Sequence, residues 1–327
     1  MEVINVAIVG YGNVGRGVIA ALEKSDDMKL SAAFSRRPEQ VAKQLKGVAV
    51  LNTEKFSLPK GVKIDVAILC GGSKEDIPAQ GPVFAKRFST VDSFDTHADI
   101  PGYFKKMDAV ARKNGNVSII SAGWDPGIFS LERVMGEAFL PGCKGFTFWG
   151  PGVSQGHSDA ARKIEGVLDA RQYTLPIETA LEKVRDGKTP DFTKRQMHKR
   201  LVYVVAKKGA DRERIRRGIV EMPNYYSDYD TKVVFISEKE MAEKHAAYPH
   251  GGFVLTSGTV GKNSRQILEY SCKLESNPGF TGSVLVACAR AAYRLKQQGR
   301  SGAFTMLDIQ PALYSPHSGV ELRGHFV

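Results

Sequence analysis

Residues 3 to 15 constrain this chain more than any other stretch. Val3 to Val9 is an apolar, β-branched run with the character of a buried strand. It ends directly in Gly10-Tyr11-Gly12-Asn13-Val14-Gly15, and Val14 to Lys24 then carries helical spacing. A G-x-G-x-x-G between strand and helix makes three separate demands. Gly10 permits a tight turn, Gly12 leaves the backbone bare where a pyrophosphate approaches, and Gly15 lets the helix close on the strand. The positive helix N-terminus then faces the phosphates.

The same alternation continues. Strand-like runs at Lys29 to Phe34, Ile64 to Cys70, Phe88 to Phe94 and Asn116 to Ser121 are separated by polar or helical stretches such as Tyr103 to Lys113. Strand alternating with helix predicts an α/β fold, a doubly wound parallel sheet of the Rossmann type, over residues 1–125. At 327 residues the chain exceeds one comfortable core, and two domains are expected. After Asp125-Pro126-Gly127 the texture changes. Runs at Gly145 to Trp149, Arg200 to Ala206 and Lys232 to Ile236 alternate with helical stretches and predict a second, α+β domain over 126–279. Apolar residues at helical spacing in Thr281 to Gln298 suggest that 280–327 returns to the first domain. With no long Pro/Gly/Ser tract, short hinges are expected between the two.

The formal charge of +11 raises the question of nucleic acid. The charges are dispersed, and the densest run, Arg212, Arg214, Arg216 and Arg217, is broken by Asp211 and Glu213 and suits a solvated helix face. No basic helix-turn-helix is present, so an anionic cofactor and substrate are the expected partners, not nucleic acid. The first residues lack a basic signal region, and their apolar run stops far short of the roughly 20 residues a membrane span needs, so a cytoplasmic, membrane-free protein is expected. Cys70, Cys143, Cys272 and Cys288 are scattered with no C-x-x-C pair. They read as reduced, buried thiols, with neither a disulfide framework nor a metal site.

The end of the second strand selects the cofactor. A chain that binds NAD usually places an acid there for the ribose hydroxyls; this one has Ser35-Arg36-Arg37, two guanidiniums and a hydroxyl that match a 2′-phosphate. NADP(H) is therefore expected over NAD(H). Cys70-Gly71-Gly72-Ser73, at the end of the third recognised strand, adds a small-residue turn at the carboxyl edge, which reads either as a ligand contact or as an ordinary turn.

Beyond these features, Val91-Asp92-Ser93-Phe94-Asp95-Thr96-His97, Ser121 to Gly127, Phe148 to Asp159, Met197-His198-Lys199-Arg200, Pro249-His250-Gly251-Gly252 and Glu275-Ser276-Asn277-Pro278 are the runs that carry a likeness. Together with the glycine turn and Ser35-Arg36-Arg37, they closely resemble the meso-diaminopimelate dehydrogenase family from end to end. Tyr248 stands where methionine is common there, and Val14 where leucine is frequent.

The resemblance implies reversible NADP-dependent deamination of meso-diaminopimelate at its D-centre, on the route to lysine and cell-wall precursors. It also implies a homodimer with its contacts in the second domain. By matched motif, Asp95 and Asp125 face the reacting carbon and hold its amine or imine. At the distal L-centre Arg200 pairs with a carboxylate, Thr174, His250 and Asn277 donate or accept hydrogen bonds, and Trp149 walls the pocket. Gln155 and Gly156 touch substrate, and His157 carries protons in the neutral range. Ser93, Phe94, Ala122, Gly123, Trp124 and Pro126 join Gly10 to Gly15, Ser35 to Arg37 and Cys70 to Ser73 around the cofactor. Residue type alone reads otherwise: Asp95 and Asp125 each as a helix-cap or turn acid, Arg200 as part of a solvated patch with Lys199, His250 as a core histidine, and His157 as a turn residue. Two other functions fit the cofactor site, a dehydrogenase of another D-amino or oxo acid and a non-catalytic NADP(H)-sensing protein.

Overall fold

The computed structural model of the protein describes residues 3–55 and 57–327. The chain divides into two compact units, Met1–Leu131 with Pro278–Val327, and Glu132–Asn277. The divisions expected from sequence lay at 125/126 and 279/280. Both observed divisions touch helices, Ile128–Phe139 and Asn277–Gln297, and not the short hinges anticipated. Only the first division falls inside a helix; the second coincides with the start of Asn277–Gln297, where Pro278 and Gly279 stand.

The first unit is built on strands β1 (Ile4–Val9), β2 (Met28–Ser35), β3 (Ala49–Asn52), β4 (Val66–Leu69), β5 (Ser89–Asp92) and β6 (Val117–Ile119), completed by β14 (Gly302–Phe304). They lie in the order β14-β6-β5-β4-β1-β2-β3, and every neighbouring pair is parallel. Alternation along β1 divides the core. Ile4, Val6 and Ile8 point into one apolar cluster, while Ala7 and Val9 point into another on the opposite face. Helix α1 (Asn13–Leu22) and α11 (Asn277–Gln297) contribute Val18, Leu285 and Ala289 to the first cluster. Helices α3 (Asp76–Phe84) and α4 (Ile100–Lys113) contribute Ile77, Tyr103 and Met107 to the second. The short α2 (Pro38–Ala42) follows β2, α5 (Ile128–Phe139) follows the loop after β6, and α12 (Gly319–Phe326) ends the chain. Neither β3 nor β14, the two edge strands of this sheet, was expected.

The second unit holds β7 (Lys144–Trp149), β8 (Gly152–Ser154), β9 (Val167–Pro176), β10 (His198–Ala206), β11 (Asp230–Phe235), β12 (His250–Val260) and β13 (Ser264–Leu274). They form a mixed four-stranded sheet, β11-β10-β9-β8, and an antiparallel three-stranded one, β13-β12-β7. Helices α6 (Gln155–Arg162), α7 (Glu178–Arg185), α8 (Lys194–Met197), α9 (Arg212–Val220) and α10 (Glu238–Lys244) accompany them. The arginine run lies on α9, where Asp211 caps the helix by accepting from the Glu213 and Arg214 N–H groups. Of the four thiols only Cys70 and Cys288 are buried. Cys143 and Cys272 are half-buried, which corrects the expectation of four core cysteines. Among the described residues no helix is long and apolar enough to cross a membrane.

Candidate active site

In the first unit the glycine turn does what its spacing demands. Gly10 adopts φ +102°, a backbone that L side chains rarely tolerate, and its N–H donates to the Phe34 carbonyl at 2.8 Å. A Cβ on Gly15 would collide with the Gly10 carbonyl oxygen, so helix and turn can close only on a hydrogen. Gly12 differs: a Cβ there would meet nothing within 4 Å, and no side chain caps α1. The protein's own packing does not require Gly12, whereas a phosphate seated on the free N–H groups of the first turn does.

A cavity of about 300 Å³ opens at this turn. It is lined by Gly10, Tyr11 and Gly12, by Ser35, Arg36 and Arg37, and by Cys70, Gly71 and Gly72. Arg16, Gln40, Thr53 and Asp76 share it and were not anticipated. Ser35 Oγ accepts from the Arg37 N–H at 3.0 Å, which fixes the strand end that carries the guanidiniums. Asp76 accepts from the Gly72 N–H at 2.9 Å and lies 3.4 Å from the Arg36 guanidinium, steering an otherwise exposed side chain. These donors fit a dinucleotide with an extra phosphate on its adenosine ribose. Asn13, Val14, Gly15, Ser73, Ser93, Phe94, Ala122, Gly123, Trp124 and Pro126 do not line this cavity. Ser73 serves a carboxylate instead: its hydroxyl donates to Asp95 Oδ1 at 2.5 Å and accepts from the Asp95 N–H at 2.9 Å. Cys70 is buried, and desolvation pushes its thiol up to about 12, so it is inert.

Asp95 follows the carboxyl end of β5, and Asp125 lies in the loop after β6, which leads into α5. Asp125 lies in a turn and not at the helix start, since Gly127, at φ +135°, separates it from α5 at Ile128, so of its two structural readings the turn acid is kept and the helix cap is not. Trp124 is buried in this turn with its ring edge-on to Phe129 at 5.1 Å.

In the second unit β9 and β10 pair Thr174 with Arg200. Arg200 is only 6% exposed, which overturns the solvated-patch reading. Its guanidinium donates to Thr174 Oγ1 and lies 3.9 Å from the centre of the Tyr229 ring. Its Nε is buried without a hydrogen-bond partner, and among the described residues no carboxylate pairs with it. Burial pulls the guanidinium below its ordinary range. Gln172, fully buried two residues before Thr174, donates its amide to Thr174 Oγ1 at 3.2 Å. Both acceptor positions of the Thr174 hydroxyl are thus taken, which leaves its proton to donate.

His157, on α6, has Nδ1 2.8 Å from Ser154 Oγ, and its carbonyl accepts from the Tyr226 hydroxyl at 2.6 Å. Burial, with help from the Arg200 charge, pulls the imidazole down to about 4. It is neutral at physiological pH, which corrects the expectation of a proton carrier titrating near neutrality. Gln155 and Gly156 are exposed at the start of the same helix. His250 is buried at the start of β12, and a Cβ on Gly152 would collide with its Cα. Asn277 donates its N–H to the Tyr248 carbonyl at 2.9 Å, and the Arg171 guanidinium sits 5.5 Å from the Tyr248 ring centre. Trp149 is half-exposed, and its N–H donates to His198 Nε2 at 2.9 Å. Burial holds His198 at about 3. Gln172, His198 and Tyr229 were missed. The first two stand at period 2 before Thr174 and Arg200, a polar stripe on the buried face of a strand pair, and that periodicity was the available signal.

A glycine turn at a helix N-terminus, two arginines at the neighbouring strand end and two carboxylates that follow neighbouring strands at the carboxyl edge of a parallel sheet define a dinucleotide-dependent oxidoreductase. The comparisons narrow the class. Residues 123–276 match the model of the diaminopimelic acid dehydrogenase C-terminal domain. The chain is 55% identical to the meso-diaminopimelate D-dehydrogenase of Lysinibacillus sphaericus, over 99% of each protein. It is 47% identical to a solved Corynebacterium glutamicum DAP dehydrogenase in complex with DAP, with a TM-score of 0.93 and all of both chains covered. An engineered D-amino acid dehydrogenase bound to NADP+ matches at 45% identity and a TM-score of 0.88, again over all of both chains. The chain belongs to the meso-diaminopimelate D-dehydrogenase family, NADP-dependent amino-acid dehydrogenases.

Proposed function

We infer that this chain catalyses the reversible NADP-dependent conversion of meso-2,6-diaminopimelate and water to L-2-amino-6-oxopimelate and ammonia, at the D-centre. The observation that carries the reading is Arg200, a buried guanidinium with no acidic partner among the described residues and an unsatisfied Nε. A buried charge without a counter-ion is costly, and a ligand carboxylate supplies one. A substrate with a second carboxylate far from its reacting carbon meets that requirement, and a simple D-amino acid does not.

NADP, when bound, supplies the two-electron acceptor. Asp95 and Asp125 hold the substrate amine and favour the positive charge that forms on nitrogen as the carbon–nitrogen bond becomes an iminium. Water then adds to that carbon and ammonia leaves. Arg200 and the donating Thr174 hydroxyl bind the distal carboxylate, with His250, Asn277 and Trp149 completing the L-centre. Gln155, Gly156 and a neutral His157 contribute hydrogen bonds. Such remote binding orients the reacting end, so its loss lowers turnover as well as affinity. The same reading places a homodimer, joined through the second domain, in the cytoplasm.

The test follows NADPH absorbance with NADP or NAD and with meso-, LL- or DD-diaminopimelate. Turnover of the meso isomer with NADP is expected to exceed every other combination. Equal rates on the three isomers would overturn the stereochemical assignment, and faster turnover of simple D-amino acids would overturn the substrate.

A further inference from the structure

Asp92 is the last residue of β5, completely buried, and plays no part in the reaction above. Its contacts are unusual in how many segments they join. Oδ1 accepts from the Phe94 N–H at 3.0 Å and from the Ser121 N–H at 3.1 Å, while Oδ2 accepts from the Tyr103 hydroxyl at 2.8 Å. Its backbone carbonyl accepts from the Ala122 N–H at 2.8 Å. Phe94 immediately precedes Asp95, and Ser121 and Ala122 begin the turn that reaches Asp125. Ser121 is held at φ +54°, a left-handed backbone that costs a non-glycine residue on the order of 1 kcal/mol and persists only where its surroundings enforce it. The Phe94 ring packs on Tyr103 at 4.5 Å between centroids, so α4 buttresses the same loop.

We propose that Asp92, backed by Tyr103, is a positioning residue that holds the Asp95 loop and the Asp125 loop in mutual register through one carboxyl group. This rests on the reading that Asp95 and Asp125 act at the reacting carbon. A carboxylate that merely fills space would need no contact with both loops. Here a single oxygen takes an N–H from each, so the spacing of the loops is set by the width of one acceptor. Reacting groups displaced by about 1 Å lose on the order of 100-fold in rate, which makes such a clamp kinetically important although it never meets substrate.

The test uses the full-length protein. Asp92→Ala removes both acceptors and is expected to lower kcat by roughly 100-fold per folded molecule, a larger factor than any rise in KM for meso-diaminopimelate or in the NADP+ dissociation constant. Asp92→Asn keeps one oxygen for the two N–H groups and is expected to restore most of that loss. Tyr103→Phe, which leaves both N–H contacts in place, falls between wild type and Asp92→Ala. In a Trp149→Phe background Trp124 is the sole tryptophan, and its emission is expected to shift to the red in Asp92→Ala as the 121–127 turn loosens. Should Asp92→Ala fail to fold, Tyr103→Phe decides, with Asp92→Asn as the control that keeps the shared acceptor: a wild-type kcat in Tyr103→Phe overturns the proposal. So does a loss of rate matched by an equal loss of NADP+ affinity, which marks general loosening. Asp95→Asn and Asp125→Asn run alongside. If neither affects kcat, the reading of the reaction fails and the clamp with it; if both do and the Asp92 variants do not, only the clamp fails.

Discussion

Two buried arginines, one in each unit, stand in opposite electrostatic situations. Arg290, on α11 and 4% exposed, grips both oxygens of Asp27 at 2.5 and 2.8 Å and donates to the Tyr314 carbonyl at 2.8 Å. Arg200, on β10 and 6% exposed, has a threonine hydroxyl and a tyrosine ring and, among the described residues, no carboxylate. The first charge is closed within the fold, so it is architecture. The second is left open, and an open buried cation describes its ligand: an anion, presented in a plane that a guanidinium can meet with two bonds. Burial alone would not have separated them; the identity of the partner does.

The contrast can be broken most sharply at Arg200. Arg200→Met is expected to lower kcat/KM for meso-diaminopimelate by about 10²- to 10³-fold, the cost of losing a buried charge partner. Its melting temperature should hold or rise, since an apolar chain replaces an uncompensated ion. A substantial drop in melting temperature would show that the guanidinium is structural after all. Arg290→Met should do the reverse, destabilising by about 3 kcal/mol through a stranded Asp27 while kcat per folded molecule stays put.

The pH dependence sharpens the same point. Arg290's hydrogen bonds outweigh desolvation and hold the Asp27 carboxyl below its ordinary 3.8. A carboxylate depressed in the folded state stabilises fully above its unfolded value and loses that contribution as pH falls through the folded one. The gap in melting temperature between wild type and Arg290→Met should therefore be full at pH 7 and narrow at pH 3; a constant gap would contradict the ion pair.

Smaller effects are expected where the charge is exposed. Arg36→Ala with Arg37→Ala should weaken NADP+ binding by about 10- to 100-fold and leave NAD+ untouched, with the difference shrinking at high salt. An unchanged preference in a fluorescence titration would remove these arginines from cofactor choice. Least of all, His157→Gln should leave the shape of the kcat profile between pH 5.5 and 8 intact, because burial holds this imidazole at about 4. A limb near pH 6.5 that disappears in the variant would restore it as a proton carrier.

The two units also differ in how plainly their residues announce them. Gly10, Gly12, Gly15 and Ser35 to Arg37 lie in local patterns of a few residues, so a turn, a helix start and an anion site could be read without any partner. Arg200, Thr174 and Gln172 depend on two strands meeting across a register that no single segment encodes, and by type alone Arg200 next to Lys199 looks like surface. Family resemblance supplied its role, and burial explains it. Asp92 went unnoticed because an acid before Ser-Phe-Asp looks like any strand-end residue until its oxygens are seen bridging two loops. The edge strands β3 and β14 went unread, and the first division lies inside α5, where no break in the helical pattern marks it.

The strand β14 pairs with β6 at the edge of the parallel sheet, and α11 covers the β1 face from the other end of the sequence. Translation therefore delivers the first residues of this sheet long before the last. A nascent chain that has made only β1 to β6 carries Val6, Ile8, Val66 and Ile68 without the helix that shelters them, while the intervening 146 residues of the second unit are still emerging. Such a half-covered sheet leaves apolar surface bare, and a fragment that stops before α11 is expected to aggregate where the full chain does not.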